Sequence, residues 1–255
     1  MSMPLNFDLH EKSGIVTGAA SGIGRATGLL MARMGARLCL VDRDEKGLHQ
    51  LLSEINTFGG GGAFLVCDIA ETSQVDQMVA ASLKTLGSLD FLVNSAGILR
   101  RTAFSEIDTA EWDLMMAVNL RGVFLCCRAS VTHMQKRGRG VIVNVASLAG
   151  RSCSILGGAH YTTAKHGLVG LSRHLARELG PRGIRVNAFC PGATLTPMTL
   201  KTTTESERER VAGSVPLRRW GLPEEQAQVI AFLVSDAAGF INGACIDSNG
   251  GSLMV

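Results

Sequence analysis

Short apolar runs alternate along the chain with longer stretches whose apolar residues recur at helical period. "GIVTG" is followed by a helical pattern over 22–34, "RLCLVD" by one over 44–57, "AFLVCD" by 71–86, "LDFLVN" by 108–136 and "GVIVNVAS" by 158–179. "GIRVNAF" leads into two shorter helical pieces, and "GACIDS" closes the series. Unbroken apolar runs of this length read as strands buried on both faces, and their alternation with helices implies a parallel sheet covered on each side. The pattern predicts an α/β fold, a doubly wound parallel sheet in a single domain over 1–255. No Pro/Ser-rich linker divides it, and "GGGG" at 59–62 reads as a flexible turn from helix to strand.

Sheets of this kind bind ligands beyond the carboxyl ends of their strands. Gly18, Asp42, Asp68, Asn94, Ser147 and Pro191 all stand at the right-hand end of an apolar run. The first run enters "TGAASGIGRA", which sets Gly18, Gly22 and Gly24 before a helix with Ile23, Ala26, Leu30 and Met34 on one face. Glycines here permit a tight turn and let a helix N-terminus approach a pyrophosphate, which makes the sheet Rossmann-type. A phosphate loop of the other common kind needs Lys-Ser/Thr after its last glycine, and Arg25-Ala26 stands there instead. Asp42 follows Gly24 by 18 residues, the spacing of an acid that accepts hydrogen bonds from an adenosine ribose. Its charge would repel a 2′-phosphate, so NAD is favoured over NADP. Arg43 reads as a solvated arginine or as a cation for that phosphate, and Asp42 has an alternative reading as a helix N-cap.

Composition narrows the classes further. With 46% hydrophobic and 18% charged residues the chain can build a large core. The net charge of +3 comes from interleaved residues rather than a basic stripe, so no nucleic-acid partner is expected. Lys136, Arg137 and Arg139 complement the carbonyl end of a helix that stops at Gly138. Seven cysteines at irregular spacing, most of them inside apolar runs (Cys39, Cys67, Cys126, Cys127, Cys190), read as core residues in a reducing compartment. No leader or 18-residue apolar run is visible, so a cytoplasmic protein without a membrane partner is expected. No metal site is expected either.

Candidate chemistry centres on Tyr161, the one tyrosine of the chain, which stands four residues before Lys165 in "GGAHYTTAKHGLVG". Residues i and i+4 share a helix face. An ammonium about 4 Å from a phenol interacts by roughly 4 kcal/mol at an effective dielectric of 20. That equals about three pKa units, enough to bring the phenol near neutrality, where a general acid/base works best. Ser147, 14 residues earlier at a strand end, is placed to hydrogen-bond a substrate oxygen. Asn119 falls on the apolar face of its helix with Trp112, Met116 and Val123, after a capping box at Asp108 and Glu111. A buried amide holds water or backbone groups, as a functional or as a purely structural residue.

Together these residues resemble the short-chain dehydrogenase/reductase family, in its short single-domain branch. "TGAASGIG", "CDIA" at 67–70, "NSAG" at 94–97, Asn119, Ser147, the Tyr161/Lys165 pair and "PGATLT" at 191–196 match its motifs in order, from about residue 5 to Gly251. The resemblance implies a cofactor half over about 5–145, a catalytic and substrate half over 146–255, and a mobile lid near 196–213. Tyr161 would be the acid/base, and Lys165 would lower its pKa and hold the nicotinamide ribose. Ser147 would orient the substrate oxygen, and Asn119 would support a water relay from Lys165. Gly18, Ser21, Gly22, Ile23 and Gly24 would hold the pyrophosphate, with Asp42 and Arg43 at the adenosine. Asp68 and Ile69 would flank the adenine, and Asn94, Ser95, Ala96 and Gly97 would line the cleft. After Pro191 and Gly192, Thr194 and Thr196 would fix the carboxamide. A homotetramer or homodimer through the helices 108–136 and 158–179 is implied. Ser13 and Gly14 depart from the family's apolar first strand, which implies weaker packing there, and "NSAG" replaces the commoner "NNAG".

The resulting expectation is an NAD-dependent oxidoreductase that interconverts a secondary alcohol and a ketone, a small-molecule substrate, by hydride transfer. A 3-oxoacyl-carrier-protein reductase using NADPH is the rival within the class, although Ser21 stands where that design places a basic residue. A sugar-nucleotide epimerase would need a C-terminal substrate domain for which there is no room. A catalytically silent dinucleotide-binding regulator would need neither Ser147 nor the phenol. Pocket walls are expected from 98–101, from 149–160 and from a polar lid after Thr196. Arg151 reads as solvated or as a cation for an anionic substrate, and His160 as a packing or interface residue.

Overall fold

The computed structural model describes residues 7–255, so the first residues of the expected domain lie outside it. Among the described residues, seven strands form one parallel sheet: β1 (Ser13–Thr17), β2 (Arg37–Asp42), β3 (Gly62–Val66), β4 (Phe91–Asn94), β5 (Gly140–Val145), β6 (Ile184–Pro191) and β7 (Cys245–Ser248). Their order is β3-β2-β1-β4-β5-β6-β7. Successive residues of each strand enter different cores. Ile15, Cys39, Val41, Leu92 and Ile142 belong to one, while Val16, Leu40, Phe91, Val93 and Val143 belong to the other. Both faces are buried, which is why the strands read as unbroken apolar runs.

The helices are α1 (Gly22–Arg33), α2 (Glu45–Asn56), α3 (Thr72–Leu86), α4 (Thr109–Met116), α5 (Gly122–Arg137), α6 (Ala159–Leu179), α7 (Pro197–Thr202), α8 (Glu205–Ser214) and α9 (Pro223–Val234). Three helical pieces rather than two follow β6. The chain turns extended at Thr203, and Thr204 opens α8 with a complete capping box to Glu207. The expected helix over 108–136 is two helices joined by a π turn, Ala117–Arg121. Taken as one 29-residue run it is long and apolar enough to span a bilayer, a signal the sequence reading passed over. Half of its most apolar stretch is instead buried within the protein.

Local packing corrects three expectations. The fully buried face of α1 is Thr27, Gly28 and Met31, and Ile23, Leu30 and Met34 flank it half-buried. Small residues face the sheet because Leu40 comes so close that a Cβ on Gly28 would lie 2.9 Å from it. Gly14 does not weaken β1, since the Phe91 ring fills its place; a Cβ there would fall 2.2 Å from the ring. The capping box of α4 is half made. Asp108 accepts from the Glu111 amide at 2.7 Å, but the Glu111 carboxylate turns away to His160. The helix stop is as expected, since α5 ends at Gly138 with φ 64°, while Arg137 and Arg139 of the basic cluster pair with Asp90.

Candidate active site

Strand order reverses at β1, so the loops after β1 and β4 diverge and leave a crevice at the carboxyl ends of the strands. A cleft of about 340 Å³ opens there, the size of a small-molecule site. Its floor depends on two glycines. Gly18 has φ 70°, and a Cβ on it would lie 2.7 Å from the Ala96 nitrogen. A Cβ on Gly24 would lie 2.1 Å from the Gly18 carbonyl oxygen. Ser21 precedes α1 without capping it through its side chain, so the first amides of the helix are left for a ligand. Thr17, which the sequence reading did not single out, joins the two loops: its Oγ1 accepts from the Ser95 and Ala96 amides at 3.1 and 3.2 Å.

Asp42 ends β2 beside this loop and accepts from the amides of Ala20, Arg43 and Asp44 at 3.0, 2.7 and 3.1 Å. The N-cap of α2 is Asp44, which accepts from Gly47 at 3.1 Å, so the capping alternative for Asp42 is excluded. Arg43 is exposed, as a solvated arginine would be, and its Nη1 lies 3.1 Å from Asp68 Oδ2.

Asn94 is a correction. It is absent from the cleft lining and is buried one layer beneath, donating to Asn144 Oδ1 at 2.8 Å. The motif ends a strand whose last side chain points into the sheet's own packing, and only Ser95, Ala96 and Gly97 reach the cleft.

Ser147 follows β5, and its hydroxyl accepts from the Ala149 amide at 3.0 Å, which anchors the turn 148–150. Tyr161 and Lys165 project from the first turns of α6 into the same cleft. Their pKa values differ from the expectation. Burial raises the Tyr161 phenol above its ordinary 10.0, and a hydrogen bond from Ser147 offsets this in part. Burial also pushes the Lys165 ammonium down to about 8. The shared helix face is as predicted, but Lys165 Nζ lies 5.8 Å from the Tyr161 ring centroid and donates to the Val145 carbonyl at 2.9 Å. The ammonium is turned to the backbone.

Asn119 sits on the π turn, fully buried, and clamps the loop after β4. Its Oδ1 accepts from the Ile98 amide and its Nδ2 donates to the Ile98 carbonyl, both at 2.9 Å. Met115, four residues earlier on the same helical face, lies against it, with Sδ 2.6 Å from Nδ2. His160 is fully buried, in keeping with a packing residue. Its Nδ1 accepts from the Tyr161 amide at 3.0 Å, which leaves Nε2 as the donor to Glu111 at 2.7 Å. Glu111 is held below the usual carboxylate range by bonds from Thr102 and His160. Arg151 is half-buried and held by the protein itself: Asp247 lies 3.4 Å away and the Cys245 carbonyl 3.3 Å.

A family model described as enoyl-(acyl carrier protein) reductase matches residues 18–252. The chain belongs to the short-chain dehydrogenase/reductase family. It is 39% identical over 243 residues to 3-oxoacyl-(acyl-carrier-protein) reductase FabG of Thermotoga maritima, covering 95% of this chain and 98% of that one. It is 37% identical over 251 residues to D-threitol dehydrogenase of Mycolicibacterium smegmatis, covering 98% and 96%. The crystal structure of levodione reductase superposes with a TM-score of 0.91 at 36% identity, covering 95% of this chain and 97% of that one. The chain is therefore an oxidoreductase of this family, acting on alcohol or ketone groups with a nicotinamide dinucleotide.

Within this short-chain dehydrogenase, the cleft gathers Gly18, Ser21, Gly22, Ile23, Gly24, Asp42, Arg43, Asp68 and Ile69 at one end. Ser95, Ala96, Gly97, Asn119, Ser147, Tyr161 and Lys165 line its middle, with Pro191, Gly192, Thr194 and Thr196 on the far wall. Val211 reaches the cleft from α8, within the expected lid, whereas sequence reasoning missed Val215 and Ser252, from the segment after α8 and the chain's last residues. Only the apolar spacing of Val211 and Val215 in an otherwise polar stretch signalled an inward face.

Proposed function

We propose that this enzyme is an NAD-dependent dehydrogenase that interconverts a secondary alcohol and its ketone, with Tyr161 moving the proton. The observation that carries the reading is the convergence of Ser147, Tyr161 and Lys165 on one cleft that also holds an uncapped helix N-terminus and a carboxylate. The residues fit a dinucleotide: the glycine cradle and α1 amides suit a pyrophosphate, Asp42 an adenosine ribose, and Asp68 with Ile69 an adenine. Thr194 and Thr196 suit the nicotinamide carboxamide. When bound, the nicotinamide supplies the hydride acceptor or donor.

The chain's own residues do the rest. Ser147 donates to the substrate oxygen beside the phenol. Tyr161 gives its proton to the forming alkoxide in reduction, and as phenolate accepts the alcohol proton in oxidation. Burial raises the phenol's pKa, and the hydrogen bond from Ser147 works against that. The Lys165 cation, with a bound oxidised nicotinamide, favours the phenolate. Gly97 leaves room between Asn119 and Lys165: the place of its missing Cβ lies 2.8 Å from Asn119 Oδ1 and 3.7 Å from Lys165 Nζ.

NAD is preferred because Asp42 faces the ribose end and Arg43, the neighbouring cation, is already paired with Asp68. The NADPH-dependent acyl-carrier reductase has the 39% relative on its side but lacks a free cation there. We infer a cytoplasmic homotetramer or homodimer. Five buried cysteines suit a reducing compartment, and Leu114 and Phe124 are 44% and 42% exposed on the long helices expected at the interface.

Titration of the purified protein with NADH and NADPH, followed by nicotinamide fluorescence, tests the reading, together with turnover of secondary alcohols. Tighter NADH binding with turnover is expected. Tighter NADPH binding would move the acyl reductase to first place.

A further inference from the structure

Beyond Tyr161 the cleft changes character. Its charged lining residues are Asp42, Arg43, Asp68 and Lys165. The first three belong to the dinucleotide end, and Lys165 is turned to the Val145 carbonyl. The substrate end is walled by Leu99, Leu148, Leu156, Met198, Val211 and Val215. The hydroxyls interspersed among them are engaged. Thr199 Oγ1 donates to the Thr194 carbonyl at 2.8 Å, Ser252 Oγ to the Asn249 carbonyl at 2.9 Å, and Ser154 Oγ accepts from the Gly157 amide at 2.7 Å.

The guanidiniums of Arg101 and Arg151 near these walls are paired elsewhere. Arg101 makes a two-pronged pair with Glu207, at 2.7 and 3.2 Å, and a bond to the Thr202 carbonyl. This pair ties the loop after β4 to α8, the two sides of the substrate end. Arg151 is held by Asp247 and Cys245, and Arg100, exposed and bonded to the Leu99 carbonyl at 3.2 Å, is not among the residues that line the cleft. A carboxylate or phosphate entering here would lose its water and gain no cation, the costly arrangement for a charge. An apolar ring or chain would bury its surface against aliphatic walls.

We propose that the substrate is an uncharged secondary alcohol or ketone with an apolar, compact body, and that this end of the cleft rejects molecules carrying an anionic group near the carbinol. The inference rests on the dehydrogenase reading for the carbinol itself, while the polarity of the walls is independent of it.

The test uses three ligands on one skeleton: 4-methylcyclohexanol, 4-hydroxycyclohexanecarboxylate and the methyl ester of the latter, which matches the acid in size without its charge. Calorimetry measures their binding to the Tyr161→Phe protein saturated with oxidised dinucleotide, so that turnover does not intervene. The two neutral ligands are expected to bind at least 100-fold more tightly than the carboxylate. In Met198→Lys, whose parent side chain is 39% exposed at the wall, the carboxylate should gain at least tenfold relative to the ester. Equal or tighter binding of the carboxylate to the parent would overturn the proposal. So would undetectable binding of both neutral ligands, or no response to Met198→Lys. Neutral ligands that bind without being turned over by the wild-type enzyme would instead sink the dehydrogenase reading and leave the polarity of the walls standing.

Discussion

Lys165→Met is expected to make the enzyme inactive and, at neutral pH, more stable. Lys165 is 5% exposed, and burial lowers its pKa from the ordinary 10.5 to about 8. At about 1.4 kcal/mol per pKa unit, keeping it charged in the folded state costs about 3 kcal/mol. The cost is complete below pH 8. Between pH 8 and 10.5 the unfolded chain binds more protons than the folded one, so stability rises with pH over that window. Methionine fills a similar volume without charge, but it leaves the Val145 carbonyl without the 2.9 Å bond, a loss of about 1–3 kcal/mol. The balance is a variant about 1 kcal/mol more stable at pH 7 and about 1–2 kcal/mol less stable near pH 10.5, from the same two contributions. Urea unfolding at fixed protein concentration, read by the fluorescence of Trp112 and Trp220 at pH 7, 8.5 and 10, measures the difference. A variant less stable at pH 7, or a difference that stays constant with pH, would refute the reasoning.

Other perturbations address separate parts of the account. Asp42→Ala should raise the affinity for NADP relative to NAD at least tenfold in paired fluorescence titrations, by removing the negative charge beside the ribose; an unchanged ratio contradicts the role given to the carboxylate. Phe91→Ala should lower the unfolding free energy by about 3–5 kcal/mol, since the ring fills the space over Gly14 in a strand with no side chain of its own there. His160→Ala removes the bonds that join the start of α6 to Glu111, and should reduce kcat about tenfold with little change in KM. His160→Gln keeps a donor for Glu111 and should recover part of that loss. Equal kcat in all three proteins would show that the pair does not position Tyr161.

Much of the fold was legible because its determinants are local. Residues such as Ile15 and Val16 enter different cores from adjacent positions, so the strand needs both to be apolar and the run announces itself. Gly138 ended a helix where its neighbours said it should. The site motifs were legible for a similar reason: Gly18 to Gly24 form one turn, and Tyr161 and Lys165 one helix face. What escaped depends on partners distant in the chain. Arg151 is answered by Asp247, His160 by Glu111, and Gly14 by Phe91; none of these pairs has a local spacing to betray it. Asn119 was expected on the buried face, but the π turn it sits on and its clamp on Ile98, 21 residues away in the chain, have no local spacing to announce them. The phenol's pKa was misjudged because a helix-face argument sets direction without distance, and the ammonium found the Val145 carbonyl first.

The central claim is that Tyr161 moves the proton in a reaction whose cofactor is held by other residues. Tyr161→Phe tests it most directly, with kcat for alcohol oxidation and the NADH dissociation constant measured on the same preparation. A fall in kcat of at least about 10³-fold, with NADH affinity within about threefold of wild type, is the predicted result. Retention of most of the activity would contradict it.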